Sequence, residues 1–105
     1  MVDILKKVQS VAFTGHRSID KEKVQEVRAL VRTKVRLLYM LGFRYFVSGM
    51  ALGFDMLAAE EVIKLKGELS ELRLVAVIPY KGQSDRWTFY QQQRYQRIMR
   101  EVDEE

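Results

Sequence analysis

Cysteine is absent from the 105 residues, and histidine, tryptophan and proline each occur once. The first absence removes disulfides and thiolate metal sites together, and a lone histidine argues against a zinc site within one subunit, so no metal is expected. No apolar run approaches the roughly 18–20 residues that span a bilayer. The start, Met1-Val2-Asp3-Ile4-Leu5-Lys6-Lys7, lacks the apolar core and small-residue cleavage site of a signal peptide. The expected setting is therefore the cytoplasm, with no membrane partner and no cofactor. Nothing reads as a repeat, a low-complexity tract or a linker, which points to one domain over residues 1–105. What the chain does have is 48% hydrophobic residues, enough for a core in a domain that buries roughly 60–70% of its unfolded surface.

Lysine and arginine number 18 against 14 acidic residues, for a formal charge of +4. The excess lies in residues 21–41, where Lys21, Lys23, Arg28, Arg32, Lys34 and Arg36 outnumber Glu22 and Glu26. Arg28, Arg32 and Arg36 follow one another at the spacing of one helical turn. A nucleic-acid footprint is one reading; the solvated face of an amphipathic helix is the commoner one. The terminal Asp103-Glu104-Glu105 reads as a fraying end.

Periodicity organises the rest. Val8 to Phe13 is a short stretch rich in β-formers that stops at Thr14-Gly15, and so reads as a strand. Capping side chains at Ser18 and Asp20 precede Val24, Val27, Val31, Val35 and Leu38, the i, i+3/i+4 repeat of a helix ending near Gly42. Residues 44–48 form a second strand. Residues 54–66 return to helical spacing with Ala58, Ala59, Val62 and Ile63 inward, and Gly67 stops them. Leu72 to Ile78 is almost continuously apolar, as for a parallel strand buried on both faces. A third helix spans residues 87–102, with Tyr95, Ile98 and Val102 at core spacing. The order βαβαβα predicts an α/β fold, Rossmann-like and three-layered (α/β/α), around a mostly parallel sheet with right-handed crossovers. Three strands are fewer than open α/β sheets usually contain, so the sheet edge is expected to be completed by self-association.

In such a sheet the ligand site lies outside the carboxyl ends of the strands. Three loops would share that rim. The first, Thr14-Gly15-His16-Arg17, combines a turn glycine with an arginine suited to bidentate phosphate contact. The second, Ser48-Gly49-Met50-Ala51-Leu52-Gly53-Phe54-Asp55, runs from strand to helix through two glycines, the setting in which backbone N–H groups and a helix N-terminus hold an anion. It matches neither G-x-G-x-x-G nor a P-loop, and its glycines could equally exist only to let helix and sheet pack. The third, residues 79–87, brings Lys81, Gln83 and Arg86 to the rim, with Ser84 or Asp85 as helix cap and Trp87 as packing residue or base-stacking platform. Asp55 and Glu60 lie about 140° apart around a helix and do not pair on one face.

These blocks together, with Ala58-Ala59-Glu60, Ile78-Pro79, Gln83, Trp87 and Arg94-Tyr95, resemble the YpsA/YspA-like family of bacterial and phage proteins, within the SLOG superfamily of Rossmann-like domains that includes DprA/Smf and the LOG phosphoribohydrolases. The resemblance covers nearly the whole chain. It implies a domain binding a nucleotide or nucleotide-derived ligand through Thr14, Gly15, His16, Arg17, Ser48, Gly49, Met50, Gly53 and Asp55. The Pro-Gly-Gly-x-Gly-Thr-x-x-Glu motif of the LOG enzymes is missing, and family members normally continue past the third helix, so the chain corresponds to the N-terminal portion of the family domain. Two further functions follow from the superfamily. One is hydrolysis of a nucleotide N-glycosidic bond with Asp55 or Glu60 at the reacting centre, and the other is single-stranded DNA binding by the basic helix.

Overall fold

The computed structural model describes residues 9–105, so Val8 and the segment before it lie outside the described residues. Strand β1 (Ser10–Ala12) leads through a 3-10 turn (Lys21–Lys23) into helix α1 (Val24–Met40). Strand β2 (Tyr45–Ser48), helix α2 (Phe54–Leu65), strand β3 (Arg73–Ala76) and helix α3 (Phe89–Met99) follow. The strands form one parallel sheet in the order β1-β2-β3, with Val11, Phe46 and Leu74 in register. This is a small Rossmann-like α/β fold.

Among the described residues the helices lie on one face of the sheet. Right-handed crossovers that step in one direction through a 1-2-3 sheet place every connecting helix on the same face. Accordingly α2 packs between α1 and α3 and against β2 and β3. Phe46, Ser48, Leu74 and Ala76 point into that helix layer and are fully buried. Tyr45, Val47 and Val75, on the opposite face, are only half-buried, and Ala12 and Val77 are exposed. Strand β3 is thus buried on one face, not both; no described helix covers the other. The core joins Val31 and Val35 of α1, Met56 to Ala59 and Val62 of α2, and Ile98 of α3.

Two polar features depart from expectation. The Arg28, Arg32 and Arg36 row is not an open footprint, and only its Arg36 end lies on a solvated face. Arg28 donates to Glu61 at 2.7 Å and Glu60 at 3.0 Å, Arg32 to Glu61 at 2.6 Å, and Arg36 to Glu68 at 2.8 and 2.9 Å. Carboxylates from the α2 region neutralise the row across the helix interface. The C-terminus is no fraying end either: the Asp103 carboxylate accepts from the Leu74 N–H at 2.8 Å and pairs with Lys66 at 2.6 Å, while Ala76 N–H donates to the Glu104 carbonyl at 2.9 Å. Val75 and Glu104 form a parallel bridge, so the chain returns alongside β3.

Candidate functional site

The loops that follow β1, β2 and β3 meet at one rim, and glycines set how closely. Gly53 adopts φ +84°, and a Cβ there would overlap the Arg17 carbonyl and lie 2.5 Å from the His16 carbonyl oxygen. Only a residue without a side chain permits both the left-handed backbone and that approach. The same contact caps α2: Phe54 N–H donates to the His16 carbonyl at 3.0 Å. Gly15 answers from the other side, since a Cβ on it would sit 2.5 Å from the Phe54 ring. The first two loops are therefore interlocked.

Within the second loop the chain turns at Met50, a non-glycine residue at φ +59°. Ser48 holds it there. Its hydroxyl accepts from Met50 N–H at 3.1 Å and donates to the Asp55 carbonyl at 3.1 Å, and the Met50 side chain is fully buried. The Asp55 carboxylate accepts from Ala51 N–H at 3.4 Å. Burial pushes the Asp55 carboxyl above the ordinary aspartate range, and the Ala51 hydrogen bond only partly opposes this.

The third loop clasps the second through Gln83, whose amide donates to the Gly49 carbonyl at 3.1 Å and the Met50 carbonyl at 3.0 Å. Gln83→Ala removes both bonds and is expected to cost about 1 kcal/mol, seen in a melting experiment as a loss of about 5 °C. Thr88, rather than Ser84 or Asp85, caps α3, in a reciprocal capping box with Gln91. Gln92 reaches back to the Ser84 carbonyl at 2.9 Å, and Trp87 meets Tyr95 edge-on at 5.5 Å.

Where the loops converge lies a recess of about 110 Å³ lined by Arg17, Ala51, Leu52, Pro79, Tyr80, Gln83 and Trp87. Of the nine residues implied by resemblance, Arg17 alone lines it. Gly15, Gly53, Ser48 and Met50 shape the loops, His16 contributes its carbonyl, Gly49 contributes its carbonyl to Gln83, and Asp55 braces Ala51. Thr14 instead borders an apolar hollow between β1 and α1. The N–H groups of Gly15, His16 and Arg17 make no backbone hydrogen bond among the described residues. Gln83, Tyr80 and Trp87 were absent from the implied set; their shared position after the third strand is the signal that locates them. Arg17 and the two aromatic rings can take an anionic group beside a flat ring, while Gln83, both of whose N–H donors are engaged, leaves only its carbonyl oxygen as an acceptor.

Residues 11–105 match the YspA SLOG family. The chain is also similar to UPF0398 proteins of Staphylococcus aureus strains JH9, JH1 and USA300, at 23% identity in each case over 103 residues, covering 91% of this chain and 55% of the relative. It thus spans about half the length of the curated relatives it matches. No helix among the described residues is long and apolar enough to cross a membrane.

Proposed function

This chain belongs to the YspA SLOG family, and from that premise we propose that it binds a nucleotide or nucleotide-derived small molecule at the rim recess. The observation that carries the reading is the convergence of three post-strand loops on Arg17, Gln83, Tyr80 and Trp87. Arg17 takes the phosphate, assisted by the N–H groups of residues 15–17. Trp87 and Tyr80 flank the base, which the recess of about 110 Å³ accommodates in part, the remainder lying along the open rim. Thr14, Gly15, His16, Ser48, Gly49, Met50, Gly53 and Asp55 serve this site chiefly as its scaffold.

Two observations weigh against particular residues of the other functions. Glu60, the second carboxylate considered for N-glycosidic hydrolysis, accepts from Arg94 at 2.6 and 2.9 Å and from Arg28 at 3.0 Å, which makes it a poor base. The arginine row considered for single-stranded DNA is engaged by Glu60, Glu61 and Glu68.

A ligand at 100 times its dissociation constant stabilises a fold by about 2.7 kcal/mol, on the order of 10 °C for a domain of this size. A thermal-shift panel of AMP, ADP, cyclic nucleotides, NAD and ADP-ribose is expected to contain at least one member that does so, with the shift lost in Arg17→Ala. No shift for any member would refute the reading.

A further inference from the structure

The helix layer holds a second polar hollow, of about 290 Å³, between the start of α2 and the facing sides of α1 and α3. Arg28, Arg94 and Arg97 surround it, with Tyr90 at its edge and Val24 and Leu57 among its apolar lining. We propose that this hollow binds a phosphorylated small anion, independently of the rim recess.

Some of the guanidinium donors around the hollow are occupied and others are not. Glu60 is the acidic residue lining the hollow, and it faces three guanidinium groups. It accepts from Arg94 through Nε and one terminal nitrogen, and from Arg28 through one terminal nitrogen. A guanidinium carries five N–H donors in a fixed fork. Arg94 therefore retains an entire terminal NH₂ group, and its orientation is already set by the carboxylate. Arg97 has no ion-pair partner among the described residues, and it borders both this hollow and a neighbouring one of about 420 Å³ that also includes Arg28 and Glu60. The neighbourhood stays positive: Arg28, Arg32, Lys64, Arg94 and Arg97 stand against Glu60, Glu61 and Glu101.

Such an array has the features of a phosphate site. Two arginines are held in place by a carboxylate that leaves donors unused, and a third is free to close on the ligand. Arginine suits this role because planar N–H pairs match two phosphate oxygens at once. Val24 and Leu57 exclude water from one side, which strengthens each charge-assisted bond. Tyr90, largely exposed, offers a ring to any organic moiety attached to the phosphate.

The test uses inorganic pyrophosphate as probe, titrated calorimetrically into the full chain at constant ionic strength maintained with sodium chloride. Saturable binding is expected in the unsubstituted protein, weakened at least tenfold in Arg97→Ala and within twofold of normal in Arg17→Ala. Because Arg97 holds no ion pair among the described residues, Arg97→Ala should keep the normal melting temperature and circular dichroism. Absence of binding, equal affinity in Arg97→Ala, or loss in Arg17→Ala would each overturn the proposal. So would binding of a single-stranded oligonucleotide with none of pyrophosphate. Loss of the nucleotide response in Arg17→Ala with pyrophosphate binding intact would separate this hollow from the rim site.

Discussion

Gly53→Ala is expected to cost about 3 kcal/mol or more of folding stability, the largest effect of any single methyl addition to the rim. Two costs combine. A non-glycine residue at φ +84° is strained by about 1–3 kcal/mol, and the added Cβ would collide with backbone atoms of Arg17 and His16, which cannot rotate away as a side-chain tip can. Relief requires the first loop to lift off α2, breaking the Phe54-to-His16 capping bond of 3.0 Å and moving Arg17 out of the recess. Gly67→Ala is the control: a Cβ there would meet nothing nearer than the Lys64 carbonyl at 3.9 Å. Urea unfolding of both variants checks the account. Gly67→Ala should fall within about 0.5 kcal/mol of the parent, and a Gly53→Ala loss of similar size would mean the loops are not interlocked.

Glu61→Gln is the second large effect, expected at about 3 kcal/mol. The Glu61 side chain is fully buried and accepts from Arg28 at 2.7 Å, Arg32 at 2.6 Å and Lys64 at 3.1 Å. Removing the carboxylate from a buried pair leaves its cations uncompensated, typically at a cost of about 3–5 kcal/mol. The low end applies here because Lys64 is 62% exposed and Arg32 34%, and both recover hydration. The same cluster sets the acid limit of stability. Burial pushes Glu61 upward, but hydrogen bonds from Arg32, Arg28 and Lys64 outweigh it and hold the carboxyl below the ordinary 4.5. Glu60, similarly raised by burial but held down by Arg94 and Arg28, and Asp103, held down by Lys66 and the Leu74 N–H, behave alike. A carboxyl whose folded pKa lies below its unfolded one binds fewer protons when folded, so its contribution is complete above the unfolded value and disappears as pH falls through the folded one. The melting temperature should therefore decline below about pH 4.5, and Glu61→Gln should flatten that decline. An unchanged slope would place the acid sensitivity elsewhere.

The fold was largely legible in the sequence because strand and helix signals repeat at short range: Val24 to Leu38 for α1, Ala58 to Val62 for α2, and the β-branched run ending at Ile78. The apolar character of residues 72–78 did not reveal that Val75 and Val77 face away from the helices, since one-sided burial follows from crossover direction and not from hydropathy. The arginine row was legible as a row. Its partners were not, because Glu60, Glu61 and Glu68 lie 29–33 residues away and meet it only when α1 and α2 pack. At the rim, the glycines signalled a close approach, and the structure identifies what approaches: Gly15 meets the Phe54 ring and Gly53 the Arg17 backbone. Gln83 was legible as a rim residue, but its clasp was not, because its partners, the Gly49 and Met50 carbonyls, lie 34 and 33 residues upstream.

The rim is the centre of the account, and locating a nucleotide on it is the direct test. In a ¹⁵N–¹H correlation spectrum titrated with the panel member that stabilises the fold most, the largest shift changes should fall on the amides of Gly15, Arg17, Ala51 and Gly53, the Gln83 side-chain amide and the Trp87 indole N–H. Changes confined to α1, or to the open face of the sheet around Val47 and Val75, would contradict it.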